Sequence, residues 1–116
     1  MNFALRVGAT AALMSERPTP DGMFGAIQKY KPTIFFGVPT LYAAMLQIKD
    51  AEQQYDLSSV RVCVSAGEPL PAELFTRWQE RFGVEILDGI GTTEALHIFL
   101  SNRAGLNSPI RVERIE

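Results

Sequence analysis

Apolar positions along this chain change their spacing several times, and each change marks an element. Thr10-Ala11-Ala12-Leu13-Met14 reads as a short buried strand, broken by Arg17-Pro18-Thr19-Pro20. Asp21 can cap the helix that follows by accepting from the exposed N–H groups of its first turn. Met23, Ile27 and Tyr30 recur at i, i+4 and i+7 and so share one face, and Pro32 ends that helix. Thr33-Ile34-Phe35-Phe36 is β-branched and aromatic and apolar on both faces, as expected of a central parallel strand. Gly37-Val38-Pro39-Thr40 turns the chain, with Pro39 suited to a helix start. Leu41, Met45 and Ile48 make a second apolar stripe, kept thin by Ala43 and Ala44, and residues 50–59 read as a polar surface loop. Val60, Val62 and Val64 alternate with Arg61, Cys63 and Ser65, the period of a strand. A third helix is expected from about Ala72 to Phe82, with Leu74, Trp78 and Phe82 on its apolar face and Glu73 paired with Arg77. Gly83 suits the left-handed position after it. Val84-Glu85-Ile86-Leu87 is the fourth strand.

This order predicts an α/β fold: a parallel sheet of about four strands, near residues 10–14, 33–37, 60–65 and 84–88, alternating with three helices. Each crossover is long enough for a parallel connection, and such connections are right-handed almost without exception. The C-terminal ends of parallel strands share one edge. Three Gly-containing loops should therefore converge there: Gly37-Val38-Pro39, Ser65-Ala66-Gly67-Glu68-Pro69 and Asp88-Gly89-Ile90-Gly91-Thr92-Thr93-Glu94. Ligands of open α/β sheets bind at that edge.

The last of these loops carries the most chemistry. Two glycines let a ligand approach the backbone, and two hydroxyls and a carboxylate follow. Hydroxyl and N–H donors suit a phosphate, and a carboxylate suits its divalent cation. A plain Gly-rich turn capped by threonine fits the same letters. The dinucleotide fingerprint does not, because Glu94 stands where its third glycine belongs.

Composition narrows the field modestly. At 116 residues the chain is one domain or part of one, and 47% hydrophobic residues are ample for a core. A net charge of -2 gives no reason to expect nucleic acid or an anionic membrane as partner. No apolar run reaches the ~18 residues of a membrane span, and the first residues lack the pattern of a signal peptide. Cys63 is the only cysteine, so no intramolecular disulfide forms, which fits a cytoplasmic setting. His97 is the only histidine, so a His-based metal cluster is excluded; it either lines a pocket or is a buried histidine satisfied by a backbone carbonyl. Trp78 reads as a core anchor and Cys63 as inert packing. No serine or cysteine has a base partner, which leaves nucleophilic hydrolysis unsupported.

Taken together, Ser65-Ala66-Gly67-Glu68-Pro69-Leu70-Pro71, the run from Asp88 to Glu94, and His97-Ile98-Phe99-Leu100-Ser101-Asn102 resemble the adenylate-forming acyl-CoA ligases. The benzoate–CoA ligase branch is the most similar, and Thr33-Ile34-Phe35-Phe36-Gly37-Val38-Pro39-Thr40-Leu41 is similar to its acyl-pocket segment. The similarity extends from about Phe3 to Gly105, so residues 1–105 are expected to be one ligase-like α/β subdomain and residues 106–116 a divergent tail. In that family a carboxylate attacks the α-phosphate of ATP, and the acyl adenylate then passes its acyl group to the thiol of coenzyme A.

The resemblance implies roles residue by residue. Gly67, Glu68 and Pro69 would line the adenine, and the backbone of Asp88, Gly89, Ile90 and Gly91 would form the floor under the nucleotide. Thr93 would donate its hydroxyl to the α-phosphate, and Glu94 would hold Mg²⁺; these two are the implied catalytic residues. Phe36, Gly91, His97 and Ile98 would surround a small aromatic carboxylic acid. The implied cofactors are ATP/AMP, Mg²⁺ and coenzyme A.

Several family parts are missing. There is no Gly/Ser/Thr-rich, Lys-bearing phosphate loop, no ribose-binding aspartate, and no mobile C-terminal domain with its lysine. Lys29, Lys31 and Lys49, the only lysines, lie outside the matching segments. The chain is therefore expected to be an internal piece of a longer ligase, inactive alone, with bare apolar surface that drives homo-oligomer formation. A free-standing α/β binding or interaction module is the alternative. A phosphoacceptor-like domain is disfavoured, because the first strands do not end in acidic residues.

Overall fold

The computed structural model of the protein describes residues 2–105. Five helices, α1 (Asn2–Arg6), α2 (Pro20–Tyr30), α3 (Pro39–Leu46), α4 (Ala51–Gln54) and α5 (Ala72–Phe82), accompany four strands. The strands are β1 (Ile34–Gly37), β2 (Val62–Ala66), β3 (Ile86–Thr92) and β4 (His97–Ser101), paired in the order β1-β2-β3-β4. β1 and β3 both run parallel to β2, and β4 returns antiparallel along β3 with an irregularity between Ile90 and Gly91. The fold class stands as expected, α/β with a mostly parallel four-stranded sheet. Its fourth strand is not the expected one. Residues 10–14 are exposed and belong to no strand, and β4 takes the vacant place at the other side of the sheet. The implied tail, residues 106–116, lies outside the described residues.

Local chemistry accounts for the helix ends. Thr19, not Asp21, caps α2: its Oγ1 accepts from Gly22 N at 3.2 Å, and Pro20 occupies the first turn, where its missing N–H is not needed. Asp21 sits one position further in, where a carboxylate still complements the helix dipole. Gly83 closes α5 at φ 68, as its position required. The Glu73–Arg77 pair forms at 3.7 Å between exposed side chains and contributes little. The stretch 50–59 is not wholly a loop, because α4 forms there and buries Ala51 completely.

The helices cover one face of the sheet. Alternation along β1 and β2 sends Phe35, Cys63 and Ser65 to that face, where all three are buried. Phe24, Tyr42, Met45, Trp78 and Ile86 complete the core at 2% exposure or less. Its centre is aromatic: the Trp78 ring meets Tyr42 edge-on at 4.8 Å and Phe82 at 4.6 Å. Tyr30, placed on the α2 stripe from its spacing, is instead 53% exposed, and Phe24 takes the inward position beside Met23 and Ile27. Arg81 ties α5 to the end of α3, donating to Leu46 O at 2.7 Å and Ile48 O at 2.6 Å while it pairs with Glu52 at 2.7 Å. Leu46 is the last residue of α3, where carbonyls have no partner within the helix.

Cys63 is inert packing. It is 1% exposed, and burial pushes its thiol up from 9.0 to about 12. We expect the native chain to resist iodoacetamide at pH 8 and the denatured chain to react at once; fast labelling of the native chain would contradict the burial. The raised value also sets a sign. The buried neutral thiol supports the fold below about pH 9, and that support is lost as pH rises toward about 12.

Candidate functional site

Register places the three segments together. Gly37 pairs with Ser65, and Ala66 pairs with Gly89, so the C-terminal ends of β1 and β2 lie beside the middle of β3, which runs three residues further to Thr92. The second loop leaves β2 through Gly67 at φ +89, a conformation that favours glycine. Glu68 is exposed, and its Oε1 accepts from Thr40 Oγ1 at 3.2 Å, which ties the first loop to the second. Pro69 is exposed beside it.

The third segment differs from its expected form. The run from Asp88 to Thr92 is not a loop, because β3 continues through it to Thr92; the turn is Thr93-Glu94-Ala95-Leu96. The two glycines serve the hairpin. A Cβ on Gly91 would lie 2.6 Å from His97 O and 3.0 Å from Ile98 Cα, and one on Gly89 would lie 2.7 Å from Ile98 Cδ1. The close neighbour of both glycines is therefore β4. The turn is pinned by Thr92 Oγ1, which accepts from Ala95 N at 3.1 Å. Thr93 and Glu94 project from it exposed, with their hydroxyl and carboxylate open to solvent.

Asp88 is buried, and its N–H donates to Asn102 Oδ1 at 2.7 Å, while Asn102 N donates to Asp88 O at 3.3 Å. Asn102 thus closes the far end of the hairpin. Nothing in its local spacing marks that role, because its partner is fourteen residues away. Ile90 is 37% exposed beside Leu100. His97 and Ile98 are half-buried. The His97 Nδ1 lies 3.2 Å from Ile98 O, and since a carbonyl only accepts, this contact needs the proton on Nδ1. Phe36 is 61% exposed on the sheet face away from the helices, as alternation with buried Phe35 dictates.

The structure thus brings Phe36, residues 67–69 and residues 88–94 to one edge and folds His97 and Ile98 back along it. The edge is open. A groove of about 620 Å³ lies instead beside α4, lined by Gln28, Tyr55, Asp56, Arg81 and Val84 among others, and shares no residue with the edge. Among the described residues no three acidic, His or Cys side chains are grouped to enclose a metal ion. A single open carboxylate is still a suitable donor for Mg²⁺, which takes its remaining ligands from phosphate and water.

An edge of this kind, at the ends of parallel strands, is where ligands of open α/β sheets bind. The chain belongs to the AMP-binding enzyme family, whose pattern it matches over residues 1–114. It is 60% identical over 103 residues to the benzoate–CoA ligase of Thauera aromatica, covering 89% of this chain and 19% of that protein. Its structure is similar to an anthranilate CoA ligase in complex with anthranoyl-AMP, at a TM-score of 0.80 and 50% identity, covering 90% of this chain and 20% of the other. A benzoate CoA ligase from Burkholderia xenovorans is similar at a TM-score of 0.79 and 55% identity, over 88% of this chain and 21% of the other. The chain spans about a fifth of the length of the relatives it matches. Among the described residues no helix is long and apolar enough to cross a membrane.

Proposed function

We propose that this chain is a section of an ATP-dependent aryl-acid–CoA ligase, carrying part of the acyl-adenylate site and inactive alone. The observation that carries the reading is the register: Gly37 against Ser65 and Ala66 against Gly89 bring the ends of β1 and β2 beside the Asp88–Gly91 stretch of β3, three segments that the ligase resemblance assigns to one ligand. In this reading Gly67, Glu68 and Pro69 face the adenine, and the Asp88–Gly91 backbone lies under the nucleotide. The exposed Thr93 hydroxyl donates to the α-phosphate. Phe36, Gly91, His97 and Ile98 form the aryl slot. Glu94 would hold Mg²⁺, which supplies charge neutralisation at phosphate oxygens. Coenzyme A would be the acceptor in the complete enzyme.

The residues that grip the outer phosphates and the ribose are not in this sequence. Each hydrogen bond to a charged group is worth roughly 1.5–3 kcal/mol, so losing two or three costs several powers of ten in affinity. We expect no benzoyl-CoA from benzoate, ATP and coenzyme A, and ATP binding no tighter than AMP. An NMR titration with a non-hydrolysable benzoyl-adenylate analogue tests the site. Weak binding, around millimolar on this scale of losses, should move the amides of Gly67, Gly91 and Thr93. Turnover that survives repurification and disappears in Glu94→Ala would overturn the inactivity, and tight ATP binding would overturn the site assignment.

Self-association belongs to the same reading. Leu96, Phe99 and Leu100 are 77%, 63% and 50% exposed around β4, which is an edge of the sheet among the described residues. An apolar edge strand is a template for pairing with another chain. A homo-oligomer is therefore expected in light scattering, and a stable monomer at high concentration would contradict it.

A further inference from the structure

We propose that Tyr42 is a positioning residue for the aryl side of the site, acting through the ends of β1 and β2; this rests on the ligase reading above. Tyr42 lies in the first turn of α3, five residues after Gly37, the last residue of β1. It is completely buried, and its ring packs edge-on against both Phe35 and Trp78. Its hydroxyl reaches two adjacent strands at once, donating to Val64 O at 2.9 Å and toward Phe35 O at 3.2 Å. Burial raises its pKa far above the ordinary tyrosine range, so the hydroxyl stays a donor.

The two carbonyls sit just before the site. Phe35 precedes Phe36, the exposed aryl wall, and Val64 stands opposite Phe36 in the register. The hydroxyl therefore clamps the strand pair two residues before the last residue of each strand. Gly37 completes the fit: a Cβ there would lie 3.0 Å from Tyr42 Cε2 and 3.3 Å from its hydroxyl oxygen. The ring occupies the space that a side chain at position 37 would need. Phe36 faces the other way, so its angle to the ligand follows the path of the β1 backbone that Tyr42 holds.

Tyr42→Phe removes the hydroxyl and keeps the ring. The ¹⁵N-labelled chain is titrated with 5′-O-(N-benzoylsulfamoyl)adenosine and, separately, with AMP. Tyr42→Phe should weaken the benzoyl analogue about fivefold, the scale of one buried hydrogen bond, and leave AMP within about twofold. Gly37→Ala, which presses on the same ring, should give the same pattern. Equal losses for both ligands, or none, in a folded variant would overturn the proposal. Hydrogen exchange gives a readout without ligand: the Gly37 amide should lose protection while those of Ile86 and Leu87 keep theirs. If the parent chain fails to bind the analogue, the ligase reading fails, and the exchange result then decides the clamp alone. Unchanged protection at Gly37 would overturn it.

Discussion

Trp78→Ala should bring this chain to the brink of unfolding. Trp78 is fully buried at the crossing of α5 and the sheet, between Tyr42 at 4.8 Å and Phe82 at 4.6 Å. Truncating a buried tryptophan costs about 3–5 kcal/mol, from lost transfer energy and from the cavity left behind. A domain of this size has on the order of 5–10 kcal/mol in total. A far-UV CD melt should therefore shift down by about 15–30 °C, at the usual conversion for domains of this size. Trp78→Phe should lose far less. The indole Nε1 has no oxygen partner and faces the weakly accepting sulfur of Cys63, so its removal strands no strong acceptor. A melt of Trp78→Ala within a few degrees of the parent would mean that the aromatic cluster is not the core of the fold.

Gly91→Ala should open the hairpin that carries half of the proposed site. The added Cβ meets backbone, 2.6 Å from His97 O and 2.9 Å from the carbonyl carbon, and backbone in a paired strand cannot step aside. Overpacking of this kind costs about 1–3 kcal/mol, concentrated in β4. Amide protection at Ile98 and Leu100 should fall, while the amides of Cys63 and Phe75 keep theirs. Binding of the benzoyl-adenylate analogue should be lost, since Thr93, His97 and Ile98 are all held by this hairpin. Gly89→Ala is the control. Its Cβ meets the side chain of Ile98, at 2.7 Å from Cδ1 and 2.8 Å from Cγ2, and a side chain can shift where paired backbone cannot. Position 89 should therefore tolerate alanine better than position 91. Equal tolerance at the two positions would show that the hairpin does not depend on the close approach at Gly91.

Both variants expose the difference between what local sequence encodes and what assembly decides. The spacing of Leu74 and Trp78 identified the buried face of α5, and Gly83 its end, because a helix is built from contacts three and four residues apart. The valines of β2 and the apolar run of β1 were legible for a similar reason: alternation or its absence reports how many faces are covered. The adjacency of the segments after β1 and β2 to the Asp88–Gly91 run also followed from sequence, since parallel connections leave strand ends on one edge, although that run proved to be strand and not loop. The motif chemistry at Thr93 and Glu94 was visible as letters.

Strand partners were not legible. A strand exists only where a neighbour accepts its hydrogen bonds, and the neighbour is remote in sequence. Residues 10–14 have strand-like composition but no partner among the described residues, and they lie exposed. Residues 97–101 show no clear alternation, yet they form β4 because β3 runs on to Thr92 and offers an edge. Tertiary structure likewise decided what the glycines are for. Two glycines beside two threonines read equally well as room for a phosphate; only the packed hairpin places His97 and Ile98 against them. It also decided the roles of Tyr42, Arg81 and Asn102, each of which bonds to backbone that is distant along the chain. Their side chains carry no local signal of that duty, because the atoms they satisfy become neighbours only when the helices close onto the sheet.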